Sequence, residues 1–173
     1  MVAVEVTNAV PCPYQGPPPG FWYGQDPAWR IPLEAAARRR YGSDLRATLT
    51  PRRLTYDLAG LQITSRADLV PVRIEFGADH SVHHYGLPAH DYPTVRADPG
   101  AKSKHRNPDG TLCLYYPGDP PERRWTCELG LLVLLNLVAE HLFAELHWWA
   151  TRGSHGGEWI LDEAPHGYHG SAA

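Results

Sequence analysis

The chain has 173 residues, 43% of them hydrophobic and 20% charged, with a net charge of −3 at pH 7. That length and balance read as one ordinary globular domain with enough chain for a sizeable core. The slightly acidic charge argues against a nucleic-acid binder, which carries a basic face.

Cys12, Cys113 and Cys127 are odd in number, widely spaced and form no CxxC pair. They suggest neither a disulfide framework nor a zinc ribbon. The N-terminus shows no basic region ahead of an apolar core, so no signal peptide is expected, and reduced thiols in a cytoplasmic protein are the economical reading.

Residues 1–24 are rich in Pro and Gly, including Pro11, Pro13, Pro17, Pro18 and Pro19, and end in Phe21-Trp22-Tyr23. Proline lacks a backbone donor and fixes φ, so this is an extended arm. Its aromatic cluster either docks it on the domain or binds a partner. Residues 25–173 form the single domain. Helix signals start near Ile31, with Pro32 at the first position, Glu34 in the first turn and Gly42 as the C-terminal cap. Leu33, Ala36, Ala37 and Tyr41 make the apolar stripe. Arg38, Arg39 and Arg40 either oppose the helix dipole or form a docking surface for an acidic partner.

Strands follow. Leu54, Tyr56 and Leu58 alternate with polar residues, and Ala59-Gly60 marks a turn or bulge before Leu61 and Ile63. Val70, Val72, Ile74 and Phe76 alternate with Arg73 and Glu75, the pattern of a half-buried antiparallel strand. Gly77 to His80 reads as a hairpin turn into Val82-His83-His84-Tyr85, so the strands form a meander. A Pro/Gly-punctuated segment runs from Gly86 to Gly100. His80, His83, His84 and His90 are dense, but strand alternation sets His83 against His80 and His84, a poor arrangement for three metal ligands. Surface histidines are the better reading, and neither metal nor cofactor is expected.

From Thr126 to Arg152 the pattern is helical and apolar round most of the circumference, with Asn136, Glu140, His147 and Thr151 on one polar stripe. Such a helix is a buried core element. Glu140, His141, Glu145 and His147 interrupt the run of roughly 18 uncharged apolar residues that a membrane span needs. Gly153 to Gly157 ends the helix, residues 158–167 form an ordered strap, and Tyr168 to Ala173 fray.

Between sheet and helix lies His105-Arg106-Asn107-Pro108-Asp109-Gly110-Thr111-Leu112-Cys113-Leu114, a polar turn that delivers one cysteine. A cysteine between leucines is by itself a small buried hydrophobe. With Asn107 nearby it reads as a nucleophile whose developing oxyanion a side-chain amide stabilises. His105 either fixes the turn or serves as general base. Asp119 and Glu122, on the loop after the cysteine, either assist an incoming amine or are simply solvated. The only lysines, Lys102 and Lys104, sit just before His105, so self-modification on lysine could occur only there.

His-x-Asn, then Gly-x-x-Cys-Leu, then Trp125 and a long helix, preceded by Asp91-Tyr92-Pro93 and Val95, resembles the active-site signature of ubiquitin-conjugating enzymes. The resemblance covers residues 30–152 and implies an α+β, UBC-like fold: N-terminal helix, antiparallel meander sheet, active-site loop and long buried central helix. The short Asn-to-Cys spacing and the ending Gly-Glu-Trp…Glu-Ala-Pro-His-Gly resemble, more closely, the bacterial members found in CBASS anti-phage operons. Those operons carry a cGAS-like synthase (CD-NTase). The resemblance implies Cys113 as thioester-forming nucleophile, Asn107 as oxyanion-stabilising amide and His105 as structural histidine. It further implies that the carboxyl donor is the C-terminal tail of the CD-NTase or a ubiquitin-like protein, with an activating enzyme if one is required, and with no nucleic-acid or membrane partner. The family's usual Pro between His and Asn is here Arg106. Two rival readings remain: a catalytically inactive UBC-like binding module for the synthase, and a thiol hydrolase pairing Cys113 with a distant His such as His166.

Overall fold

A computed structural model describes residues 14–79, 86–99, 101–151 and 157–161. The expected strand Val82 to Tyr85, His80, Cys12, His166 and the C-terminal tail from Tyr168 lie outside the described residues.

Helix α1 spans Pro27–Tyr41 and starts one turn earlier than expected. Asp26 is its N-cap, accepting the Ala28 N–H at 2.9 Å, and Pro27 takes the first position. Pro32 therefore lies inside the helix, where it removes one backbone bond. Burial of Trp29 and Leu33, four residues apart and 3% and 2% exposed, outweighs that loss. Gly42 caps the end as expected, at φ 54°. Glu34, 6% exposed, accepts the Tyr56 hydroxyl at 2.8 Å and pairs with Arg30 and Arg38.

The sheet is a four-stranded antiparallel meander in the order β1-β2-β3-β4. Its strands are β1 (Leu45–Leu49), β2 (Arg53–Leu61), β3 (Val70–Gly77) and β4 (Thr94–Ala97). β3 alternates buried and exposed as its sequence predicts. The Ala59-Gly60 irregularity is a bulge within β2, where the register with β3 shifts between Leu58 and Leu61. A Cβ on Gly60 would lie 2.8 Å from Leu69 Cβ, so the close approach requires glycine. β1 is unexpected from sequence, because only Leu45 of this edge strand is buried and no alternation announces it. The Gly86 to Gly100 segment, read as punctuation, supplies the 3-10 turn Ala89–Asp91 and β4.

Helix α2 spans Gly130–Thr151, preceded by the 3-10 turn Cys127–Leu129. Leu131, Leu134, Leu135, Val138 and Leu142 enter the same core as α1 and the sheet. Trp29, Phe76 and Trp125 join the layers through ring contacts of 5.2 Å and 6.1 Å. By length and composition alone, residues Cys127–Thr151 could cross a bilayer, but half of the most apolar stretch is buried against the domain. The end of the N-terminal arm is docked as well. Tyr23 is buried and donates to the Gly77 carbonyl at 2.6 Å, and Tyr14 donates to Asp26 Oδ2 at 2.9 Å.

Candidate active site

Residues 105–113 fold as a tight β-hairpin on the edge of β4. Arg106 and Leu112 are bridged, and the Cys113 N–H donates to the His105 carbonyl at 2.9 Å. The Asn107 N–H donates to the Thr111 carbonyl at 2.8 Å, which closes the turn. Pro108 and Gly110, the latter at φ 80°, supply the turn backbone. The Leu112 N–H donates to the Val95 carbonyl at 2.9 Å and hangs the hairpin on β4.

This register sets His105 directly opposite Cys113, with Asn107 diagonal to it on the same face. Directly opposite residues carry Cβ atoms about 5 Å apart, and diagonal ones are separated by about 7 Å. Asn107 is exposed, and its Nδ2 donates to Thr111 Oγ1 at 2.8 Å. Thr111 in turn donates its hydroxyl and N–H to Asp109 Oδ1 at 2.7 and 3.0 Å. These bonds hold the Asp109 carboxyl below the usual carboxylate range. An amide nitrogen has two hydrogens, so Asn107 keeps a second N–H beyond its Thr111 bond.

Cys113 is a residue of intermediate burial, neither sealed nor open. Burial pushes its thiol above the ordinary value, so at neutral pH it rests protonated. Cys127 differs in degree: its thiol is buried and pushed up to about 12, by burial first and then by the Asp91 charge.

The other face of the hairpin is anchored by an ion pair not anticipated from sequence. The Arg106 guanidinium grips Glu145 of α2 through both oxygens, at 2.7 and 2.8 Å, and the two side chains are 4% and 1% exposed. Arg106 Nη1 also donates to the Ala97 carbonyl at 2.8 Å, at the end of β4. One side chain thus ties hairpin, sheet and helix together in a bidentate fork. Glu145 reads in sequence as an interruption of an apolar run; its spacing from His141 was the available signal. Both are buried on one face of α2.

Of the expected strap, residues 158–161 are among those described, and Trp159 lies on this cluster. Its ring is 4.3 Å from that of His105 and 5.2 Å from that of His141. His141 is 3% exposed, and burial pushes its imidazole down to about 4, so it is neutral.

No family model, curated protein or solved structure matches this chain. The geometry therefore stands alone. It brings Cys113, His105 and Asn107 together on one face. Asp119 and Glu122 are not joined to them by any described bond: Asp119 accepts the Arg124 Nε–H on its carbonyl at 3.1 Å, and Glu122 is exposed in the 3-10 turn Pro121–Arg123.

Proposed function

We propose that this chain is a ubiquitin-conjugating-like acyl carrier in bacterial anti-phage defence. In this reading Cys113 takes the activated C-terminal carboxyl of a CD-NTase (cGAS-like synthase) or a ubiquitin-like protein as a thioester and passes it to an amine. The observation that carries the reading is the hairpin face, where Cys113, a residue of intermediate burial, sits opposite His105 and diagonal to Asn107. The α+β frame, with a helix before an antiparallel meander and a long helix after the cysteine hairpin, supports it at the level of architecture.

In the first step the Cys113 sulfur, having lost its proton, attacks the activated carbonyl and expels the activating group. In the second step an amine attacks the thioester carbonyl. The oxygen becomes negative, the C–S bond breaks as the amide forms, and the sulfur leaves as thiolate and recovers a proton. In this reading the second Asn107 N–H, beyond the one given to Thr111, donates to that oxyanion. His105, its ring tilted at 44° against Trp159, holds the turn through its carbonyl, which accepts the Cys113 N–H.

One observation favours a second reading. The Cys113 thiol is raised rather than lowered, as suits a binding module that uses this surface without chemistry. The two separate in one experiment. The protein is mixed with the partner and, where required, an ATP-dependent activating enzyme. The carrier gives a covalent adduct that excess thiol releases and Cys113→Ala abolishes. Stable association without any adduct leaves the binding module.

A further inference from the structure

Away from Cys113, three side chains bearing metal-binding atoms converge from two separate segments. His90 and Asp91 belong to the 3-10 turn Ala89–Asp91, and Cys127 opens the 3-10 turn before α2. A His90 ring nitrogen, an Asp91 carboxylate oxygen and Cys127 Sγ all lie within 4.8 Å of one another. Bonds between backbone and side chain hold Asp91 against the second turn. The Cys127 N–H donates to Asp91 Oδ1 at 2.8 Å, and the Tyr115 hydroxyl donates to the Asp91 carbonyl at 3.0 Å. The docked arm covers the cluster: Tyr14 and Tyr23 meet the His90 ring edge-on at 5.5 and 5.6 Å. None of these residues takes part in the chemistry assigned to the hairpin.

We propose that His90, Asp91 and Cys127 bind a divalent transition-metal ion of the zinc type, with water as fourth ligand. A mixed nitrogen, oxygen and sulfur set suits zinc and cobalt, whereas magnesium and calcium take oxygen ligands. Metal–ligand bonds of about 2.0–2.3 Å put the ligand atoms of a tetrahedral site roughly 3.5 Å apart. The cluster, whose ligand atoms lie within 4.8 Å of one another, must therefore contract by about 1 Å on binding. Asp91 already has the outer contacts that orient a ligating carboxylate, with the Cys127 N–H on one oxygen and Arg124 Nη1 at 3.8 Å from the other. The ion would pin the turn before β4 to the start of α2. Its binding displaces the Cys127 thiol proton.

The test uses the full-length protein carrying Cys113→Ala, so that the less buried of the two described thiols is silent. After treatment with a chelator it is titrated with Co²⁺, then with Zn²⁺. A single equivalent of Co²⁺ should bring up thiolate-to-cobalt and tetrahedral bands, Zn²⁺ should erase them, and the melting temperature should rise with Zn²⁺. Cys127→Ser should abolish the sulfur band, and His90→Ala should weaken binding by at least about tenfold. Should Cys127→Ser fail to fold, native mass spectrometry of the parent and His90→Ala proteins, counting bound Zn²⁺, serves in its place. A featureless cobalt titration, bands that survive Cys127→Ser, or no bound Zn²⁺ on the parent overturns the proposal and leaves a hydrogen-bonded cluster.

Discussion

Replacing Glu145 with Leu removes one half of the buried Arg106–Glu145 pair and strands the guanidinium. The side chains are 4% and 1% exposed, so water cannot solvate the charge left behind without opening the domain. Breaking a buried pair by removing one partner costs about 3–5 kcal/mol, far more than the pair contributes against apolar replacements of both. For a domain of this size each kcal/mol moves the melting temperature by about 2–4 °C, so a fall of roughly 6–20 °C is expected. Arg106 also holds the Ala97 carbonyl, so the damage should reach the hairpin itself. The assay pairs thermal and urea unfolding with the rate at which a disulfide reagent labels Cys113 in the native protein. Both stability and protection of the hairpin should drop in Glu145→Leu, and the double variant Arg106→Met/Glu145→Leu should recover part of the stability. A Glu145→Leu protein within 0.5 kcal/mol of the parent would refute this account of what holds the hairpin.

Further expectations concern single groups. His141 has a folded pKa of about 4, below its unfolded value near 6.5, so between those values the unfolded chain binds a proton that the folded one does not. Stability is therefore intact above pH 6.5 and declines by about 3 kcal/mol as pH falls to 4; urea midpoints against pH should flatten in His141→Leu. Gly60→Ala forces a Cβ against Leu69 and should cost about 1–3 kcal/mol, read as a lowered urea midpoint. Tyr23→Phe loses the bond to the Gly77 carbonyl and should cost about 1 kcal/mol by the same measure. Iodoacetamide should modify Cys113 before Cys127, because only the former is partly exposed; peptide mapping that finds Cys127 modified first would contradict the burial order.

Patterns that repeat were legible in the sequence. β3 alternates strictly, α2 buries leucines at helical spacing, and Pro108 to Gly110 announce a turn ahead of Cys113, though not the hairpin it closes. Elements lacking a repeat were not. β1 buries one residue of five, so nothing in its composition distinguishes it from a loop. The start of α1 was misplaced because Pro32 mimics a first-turn proline, while the true start rests on Asp26-Pro27. At the site, the cysteine, asparagine and histidine are close in sequence and could be read together. Glu145, His141 and Trp159 reach the hairpin only through tertiary packing, 28 or more residues downstream of Cys113. The same holds for His90 and Cys127, whose convergence depends on how two 3-10 turns meet.

The most direct measurement is intact-mass analysis of the protein after exposure to a peptide bearing a C-terminal glycyl thioester, with Asn107→Ala run alongside. The account predicts one added acyl group on Cys113 that hydroxylamine removes. It also predicts slower discharge to an added amine, by about a hundredfold, in Asn107→Ala. Absence of any adduct on Cys113, or an adduct that forms equally well in Cys113→Ala, would contradict it.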